Sequence, residues 1–195
     1  DVHKRLELTK RQYILLSAHR EENIDTDCNF LQLFTAVNAM AERYDMPILY
    51  SCHPRSRKRL EATEFRLDSR VIAHEPLGFH DYNCLQMNAF AVVSDSGTLP
   101  EESSFFLSIG KPFPAISIRT STERPEALDA GCFVLAGIDT ESLLQGVEMA
   151  VQMQQEGCFG TPVADYTGEN VSMKAARLIQ SYTGVVNKMV WRKER

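Results

Sequence analysis

Apolar and polar positions follow one another along the chain in blocks that predict strands and helices in turn. The run Tyr13–Ser17 is apolar and leads into the polar segment His19–Asn23, a pattern that indicates a buried strand ending in a loop. Asn29–Tyr44 instead repeats its apolar residues at spacings of three and four, which predicts one buried helical face. Asp27 is expected to cap this helix. The chain thus opens on a strand followed by a helix.

The same alternation continues through the chain and predicts six strands in all. The other five strands are expected at 47–51, 70–74, 89–94, 113–118 and 132–136, with helices opening near Pro54, His80, Gly97, Asp139 and Gly168. In the last helix, Ala175, Ala176 and Ile179 are expected to face inward. Strands joined by helical crossovers predict an α/β fold with a doubly wound, Rossmann-like parallel sheet. Residues 1–195 are interpreted as a single domain.

Composition and charge narrow the classes of partner. The chain is 44% hydrophobic and 24% charged, as in ordinary globular proteins, and no apolar run is long enough to cross a bilayer. A net charge of −5 gives no basic field for a phosphate backbone. The five cysteines lack the paired spacing of a zinc site and are interpreted as buried, reduced thiols. These features predict a cytoplasmic protein with no metal site and with neither nucleic acid nor membrane as partner.

Polar residues gather where four of the predicted strands end. They are His19–Asn23, His53–Arg55, Asp95–Gly97 and Arg119–Glu126. In parallel sheets ligands bind outside the carboxyl ends of the strands, so these segments are the candidate site.

Asp95–Thr98 joins a buried strand to a helix and is the strongest candidate for an anion site. Backbone N–H groups and the positive end of the helix dipole would face a bound anion. Gly97 has no side chain to obstruct a phosphate, and the hydroxyls of Ser96 and Thr98 could add donors. The alternative is that Asp95 or Ser96 simply caps the helix.

Other polar residues of these segments carry two interpretations each. Glu102 could accept hydrogen bonds from ribose hydroxyls or merely pair with the helix dipole. His19 and Arg20 could neutralise a leaving phosphate, or be solvated loop residues. Thr122 could belong to a functional loop or only cap a helix that begins at Pro125.

Four segments together carry a family resemblance. The chain closely resembles, over nearly its whole length, the C-terminal half of the non-hydrolysing UDP-N-acetylglucosamine 2-epimerases in the segments Ser17–Asn23, Asp95–Gly97, Glu101–Glu102 and Thr122–Glu126. Enzymes of that family have two domains of the glycosyltransferase-B type, with the active site between them. The sequences of segments 95–98, 101–104 and 118–122 are most similar to the branch acting on 6-deoxy sugars, which makes UDP-N-acetyl-L-fucosamine for surface polysaccharides. Thr98 and Glu21 depart from the family, which has glycine and arginine there.

The resemblance implies a role for individual residues. It places the diphosphate at Ser96 and Gly97, with Thr98 beside them, and the ribose hydroxyls at Glu102. His19 corresponds to the catalytic histidine. It places the uracil beside Phe79 or Tyr82, and it places Arg20 and Arg124 at the phosphates or in support of the loop. Glu22 and His53 correspond to a second nucleotide-sugar site, which Glu21 in place of arginine makes doubtful.

The resemblance also implies a reaction and its partners. UDP is eliminated from a UDP-2-acetamido sugar and added back with C2 inverted, without a cofactor. The acid and base carboxylates lie on an N-terminal domain, so this chain alone is expected to bind substrate but not to turn it over. The full-length form is expected to be a homodimer. Segments 1–10 and 184–195 are expected to lack partners within this domain and to pack on the other one.

Two other classes of function remain open at this point. A glycosyltransferase-B donor-binding domain would share the sheet and a ribose-binding glutamate. A non-catalytic nucleotide-sugar binding module would share the whole site.

Overall fold

The six predicted strands form one parallel sheet. A computed structural model describes residues 1–193, apart from the side chain of Ile24. Its strands are β1 (Ile14–Ser17), β2 (Ile48–Ser51), β3 (Val71–His74), β4 (Ala91–Ser94), β5 (Ala115–Ser117) and β6 (Val134–Leu135). Its α-helices are α1 (Val2–Arg5), α2 (Glu21–Ile24), α3 (Asp27–Tyr44), α4 (Pro54–Thr63), α5 (Phe79–Asn88), α6 (Leu99–Ser108), α7 (Pro125–Asp129), α8 (Thr140–Gln155) and α9 (Val171–Met189). The α/β prediction and all six strands are confirmed.

The strand order explains where a ligand can enter. It runs β3-β2-β1-β4-β5-β6, so the chain builds outward from β1, returns to the centre, and then builds in the other direction from β4. Ser17 and Ser94 end β1 and β4 in register. The loops leaving these two strands diverge to opposite sides, and the crevice that opens between them is the expected binding place of a doubly wound sheet.

Alternate residues of the central strands build two cores, one on each face of the sheet. Ile14 and Leu16 pack with α3 and α8, whereas Tyr13 and Leu15 pack with α1, α5, α6 and α7. All four side chains are fully buried. Helices cover both faces, which is why β1 reads as a continuous apolar run.

The helix α3 begins where the sequence predicts, but its cap is a different residue. Thr26 is the N-cap, and its hydroxyl accepts a hydrogen bond from the Asn29 N–H at 3.3 Å. Asp27 lies one position later, in the first turn, where its carboxylate still faces the helix dipole favourably. The prediction that Asp27 caps the helix is therefore wrong by one residue.

Phe34→Ala is expected to lower the free energy of unfolding by about 3–5 kcal/mol, because it leaves a cavity in a packed core. Phe34 is fully buried on α3 and contacts the rings of Phe30 and Tyr50 at centroid distances of 4.7 and 5.6 Å. Urea unfolding measures the change. Leu31→Ala on the exposed side of the same helix is the control and should cost far less. Equal losses in the two variants would contradict the placement of the core.

The N-terminal segment packs within the domain. Val2 and Leu8 are buried, His3 Nε2 lies 3.1 Å from the hydroxyl of Tyr13, and Arg5 pairs with Asp81 at 2.6 Å. The expectation that residues 1–10 lack partners within the domain is wrong, because one short amphipathic turn fits against α5.

The last helix, α9, was expected to pack within the domain but is exposed. No residue of α9 is buried, and Ile179 is 66% exposed, so the prediction that Ala175, Ala176 and Ile179 face inward is wrong. Its large apolar side chains are nevertheless arranged at helical spacings, as the series Leu178, Tyr182, Val185 and Met189 illustrates. In the tail, Val190 and Trp191 are 65% and 66% exposed, and the packing of 184–195 on another domain stays a prediction. Glu194 and Arg195 lie outside the described residues.

Two other sequence expectations concern the whole chain. Cys52 and Cys132 are buried, but Cys28 and Cys158 are exposed, so the prediction of five buried thiols is wrong. All five thiols are free. Within residues 1–193, no helix combines the length and the apolar character that crossing a bilayer requires.

Candidate functional site

The loop between β4 and α6 ends at a helix start that lacks a side-chain cap. The N-cap of α6 is Thr98, whose side chain makes no capping hydrogen bond, and Pro100 in the first turn has no N–H. Asp95 caps nothing, because its carboxylate accepts hydrogen bonds from residues 19, 20 and 23 instead. The Gly97 N–H has no hydrogen-bond partner among residues 1–193. The helix start therefore offers a backbone donor and the positive end of the dipole to an anion.

Arg20 lies directly over this loop. Its Nε donates to the backbone carbonyl of Asp95 at 3.0 Å, which leaves the outer guanidinium nitrogens free of that bond. A Cβ added at Gly97 would approach Arg20 Nη2 to 2.8 Å. A positive charge and a side-chain-free backbone are thus brought together, as a phosphate site requires.

His19 is held beside the same loop by Asp95. The Asp95 Oδ2 accepts from the backbone N–H groups of His19 and Arg20 at 2.9 and 2.8 Å, and Oδ1 lies 3.2 Å from His19 Nδ1. The Asp95 side chain is fully buried, whereas that of His19 is 46% exposed. The sequence places Asp95 in the candidate anion loop or at a helix cap, and neither interpretation includes its contact with His19. A carboxylate at the end of a fully buried strand was the available signal.

Glu102 is fixed by hydrogen bonds from two sides. Gln86 on α5 donates to its Oε2 at 2.8 Å, and Thr98 donates to its Oε1 at 2.8 Å. The Thr98 hydroxyl also lies 2.9 Å from that of Ser96, so the three polar side chains of this turn are linked. Each carboxylate oxygen retains a lone pair for a further donor. The geometry suits two neighbouring hydroxyl groups, such as those of a ribose.

The two aromatic candidates occupy different places on α5. Phe79 is 77% exposed and lines, together with Glu102, an open pocket between α5 and α6. Tyr82 is partly buried, and burial followed by the charge of Glu102 raises the pKa of its hydroxyl. Phe79 is therefore the residue that presents a free ring face beside Glu102.

Arg124 faces Glu101 rather than the open crevice. Its Nε and Nη2 lie 2.7 and 2.6 Å from Glu101 Oε1, and its N–H donates to the hydroxyl of Thr122 at 3.0 Å. Arg124 is also the N-cap of α7, which begins at Pro125. Of the two roles expected for Arg124, the contacts correspond to support of the loop geometry.

Arg119 supports the same loop through ion pairs, and it had no individual role among the sequence predictions. It is buried and pairs with Glu123 and, at 3.1 Å, with Glu22. Hydrogen bonds from Arg119 lower the pKa of Glu123 to about 2, so this carboxylate remains ionised over the working range of most proteins. Glu22 is thereby turned toward β5.

The residues expected at a second nucleotide-sugar site are not joined to each other. His53 is the N-cap of α4 and accepts from the Arg55 N–H at 3.3 Å, whereas Glu22 is bound to Arg119. Glu21 pairs with Arg55 at 3.1 Å. No hydrogen bond between Glu22 and His53 occurs in the described part of the chain.

The structure thus brings six of the expected residues to one place at the switch point of the sheet. They are His19, Arg20, Ser96, Gly97, Thr98 and Glu102, with Phe79 at the rim. A helix start and a guanidinium can hold an anion, and a fixed carboxylate nearby can hold a diol. These features define the class of doubly wound α/β domains whose site suits a phosphorylated sugar or nucleotide.

Comparison with known proteins gives the family. Residues 1–180 match the family model described as UDP-N-acetylglucosamine 2-epimerase, and the chain belongs to that family. A curated relative of that name from Methanococcus maripaludis is 36% identical over 165 residues, which cover 81% of this chain and 43% of the relative.

Solved structures agree with the family and with the fold. The structure of UDP-N-acetylglucosamine 2-epimerase from Rickettsia bellii is 35% identical, with a TM-score of 0.82 over 99% of this chain and 50% of that one. The Methanocaldococcus jannaschii enzyme, solved in complex with UDP-GlcNAc and UDP, is 28% identical with a TM-score of 0.76, over 93% of this chain and 48% of that one. The chain spans about half the length of the relatives that it matches.

Proposed function

We propose that this chain is the UDP-binding half of an enzyme that inverts C2 of a UDP-2-acetamido sugar. The observation that carries the proposal is that two features lie side by side. One is the uncapped start of α6 beneath Arg20, and the other is the Glu102 carboxylate, which two hydrogen bonds hold in place. A nucleoside diphosphate presents a diphosphate and a ribose diol to one protein surface, and this site offers a partner to each. The family match supports the same assignment and favours it over a glycosyltransferase donor domain.

The proposed reaction proceeds by elimination and re-addition. A base removes the proton from C2, the bond between C1 and the phosphate oxygen breaks, and UDP leaves with the electron pair, so that C1 and C2 become doubly bonded. UDP then adds back to C1 while C2 receives a proton on its opposite face. No oxidant or reductant is consumed.

This half of the site is suited to hold the departing diphosphate. Negative charge builds on the phosphate oxygen as the C1–O bond breaks, and donors already in place stabilise it without reorganisation. The Gly97 N–H, the guanidinium of Arg20 and the imidazole of His19 are such donors. We assign His19 as the catalytic residue of this half, and we assign the uracil ring to Phe79.

The acid and base at C2 are assigned to the other half of a two-domain enzyme. Glu102 is held by Gln86 and Thr98, and Glu22 is bound to Arg119, so these carboxylates are committed elsewhere. We propose that an N-terminal domain supplies the missing groups and covers the apolar residues of α9. That the relatives are about twice as long as the matched region supports this arrangement.

The choice of sugar is a separate proposal from the choice of reaction. One relative, from Pseudomonas aeruginosa and 28% identical, is named UDP-2,3-diacetamido-2,3-dideoxy-D-glucuronate 2-epimerase, so members of the family differ in the sugar. We assign this chain to the branch acting on 6-deoxy sugars for surface polysaccharides, on the resemblance of segments 95–98, 101–104 and 118–122 to that branch. A cytoplasmic location, supported by the five free thiols, and a homodimeric full-length form belong to the same proposal.

Calorimetry on the 195-residue chain tests the proposal. We expect UDP to bind, Glu102→Ala to weaken UDP binding roughly tenfold or more, in line with about 1.5–3 kcal/mol for a hydrogen bond to a charged group, and pyrophosphate binding to be unaffected. Gln86→Leu should also weaken UDP binding, but by a smaller factor, because it removes a hydrogen bond to Glu102 and leaves the carboxylate itself in place.

The control is Glu101→Gln, which alters the neighbouring carboxylate of the same helical turn. It should leave the preference for UDP over pyrophosphate unchanged. Equal losses of UDP and pyrophosphate in Glu102→Ala would mean that Glu102 only pairs with the helix dipole. Absence of UDP binding by the unaltered chain would contradict the proposed function itself.

A further inference from the structure

The buried carboxylate of Asp95 has one oxygen that accepts three hydrogen bonds and one that accepts none among the described residues. Its Oδ2 accepts three N–H groups, from the backbones of His19 and Arg20 and from Asn23 Nδ2 at 3.2 Å. Its Oδ1 accepts no hydrogen bond within residues 1–193, and it lies 3.2 Å from His19 Nδ1, so a small rotation of the imidazole would align the two atoms. The two oxygens therefore have different tasks, one holding the loop and one facing the imidazole.

The position of Asp95 is rigid. Asn23 bonds to Asp95 and also donates to the carbonyl of Ile118 at 3.0 Å, which ties the carboxylate to the end of β5. Arg20 Nε donates to the Asp95 carbonyl. A carboxylate with no exposed surface and with both its backbone and side chain fixed can set the orientation of a neighbouring ring.

We propose that Asp95 is a positioning residue that holds His19 with its proton on Nδ1 and turns Nε2 toward the diphosphate. An ionised carboxylate only accepts hydrogen bonds, so the nitrogen that faces it must be the one that carries the proton. Nδ1 faces the fully buried Asp95 carboxylate, so Nε2, on the other side of a ring that is 46% exposed, is the nitrogen available to a ligand. In the protonated ring both nitrogens carry a proton, and Nε2–H can then donate to the leaving phosphate oxygen.

The competing partner of Nδ1 is the hydroxyl of Ser17. It lies 3.5 Å from Nδ1, at the limit of a hydrogen bond, whereas Asp95 Oδ1 is at 3.2 Å and carries charge. A hydroxyl can donate as well as accept, so Ser17 alone would not select one tautomer. Asp95 does, because it cannot donate.

The experiment measures the tautomer of His19 directly, by nitrogen-15 chemical shifts of the imidazole in the unliganded 195-residue chain at a pH where the ring is neutral. We expect Nδ1 to show the shift of a protonated ring nitrogen and Nε2 that of an unprotonated one. The opposite assignment would overturn the inference without the use of any variant.

Asp95→Asn provides the decisive comparison. The asparagine oxygen should take over the three N–H donors, so that its NH₂ faces Nδ1 and forces the proton onto Nε2. The tautomer should reverse, whereas in Ser17→Ala it should remain as in the unaltered chain. A folded Asp95→Asn variant with an unchanged tautomer would contradict the positioning role. A carboxylate with a merely structural role would leave the tautomer unchanged when it is replaced.

The inference rests on the proposed function only for the partner of Nε2. Addition of UDP should move the Nε2 resonance and leave the proton on Nδ1. If UDP binds and Nε2 does not respond, the contact between His19 and the phosphate is wrong, while the tautomer data still decide the role of Asp95.

Discussion

Gly97→Asp is expected to abolish UDP binding to this chain. The new carboxylate would lie where the phosphates approach, and a Cβ at this position is already 2.8 Å from Arg20 Nη2, so the aspartate would pair with that guanidinium in place of the ligand. Gly97 does not have a positive φ, so an aspartate can adopt its backbone conformation without strain. Calorimetry should show no UDP binding at concentrations at which the unaltered chain is saturated.

Two variants separate charge from shape in this experiment. Gly97→Ala adds only a methyl group against the mobile end of the Arg20 side chain and should reduce affinity by a smaller factor. Gly184→Asp places the same charge on α9, where a Cβ has open space, and should leave affinity unchanged. Normal UDP affinity in a folded Gly97→Asp variant would mean that the phosphates bind elsewhere.

The second large effect concerns turnover and requires both halves of the proposed enzyme. We expect the 195-residue chain to bind a UDP-2-acetamido sugar without epimerising it, and activity to return when an N-terminal domain is restored in the same polypeptide or in trans. In that two-domain form, His19→Ala should lower kcat roughly 10²–10³-fold, the range found when a preorganised donor to a developing oxyanion is removed. UDP affinity should change much less, because the contact strengthens only as charge builds.

Product formed in deuterated water provides the readout, since deuterium should appear at C2. His74→Ala, at the end of the edge strand β3, is the matched control and should retain activity. Exchange at C2 catalysed by the 195-residue chain alone, at a rate comparable with that of the two-domain form, would contradict the division of labour between the halves.

The strands and the loop between β4 and α6 were predictable because local sequence determines them. A parallel strand that is covered on both faces must be apolar throughout, and 89–94 shows this pattern without ambiguity. Its carboxyl end must then carry the polar residues Asp95 and Ser96 into the crevice. Helical periodicity located α3 for the same reason, and α8 begins where a helix was expected near Asp139, which is its N-cap.

Contacts between distant segments were not predictable in this way. Gln86 is fully buried and supports Glu102 from another helix, yet in sequence a glutamine on a helix is typical of a solvated face. The contact of Asp95 with His19 joins residues 76 positions apart. In α9, periodicity correctly indicates an apolar face but contains no information on whether the partner of that face lies in the same segment. Ile179 was assigned to the core for that reason.

The exposure of α9 has a consequence for the cooperativity of unfolding. A helix with no buried residue adds little apolar burial to the unfolding transition of its domain, and a 19-residue helix in water is only marginally stable by itself. Ordering of α9 is then thermodynamically linked to whatever covers it. If the proposed second domain does so, separation of the two domains would release this helix to fray, and the apolar burial gained on closure would have to offset the cost of ordering the helix again.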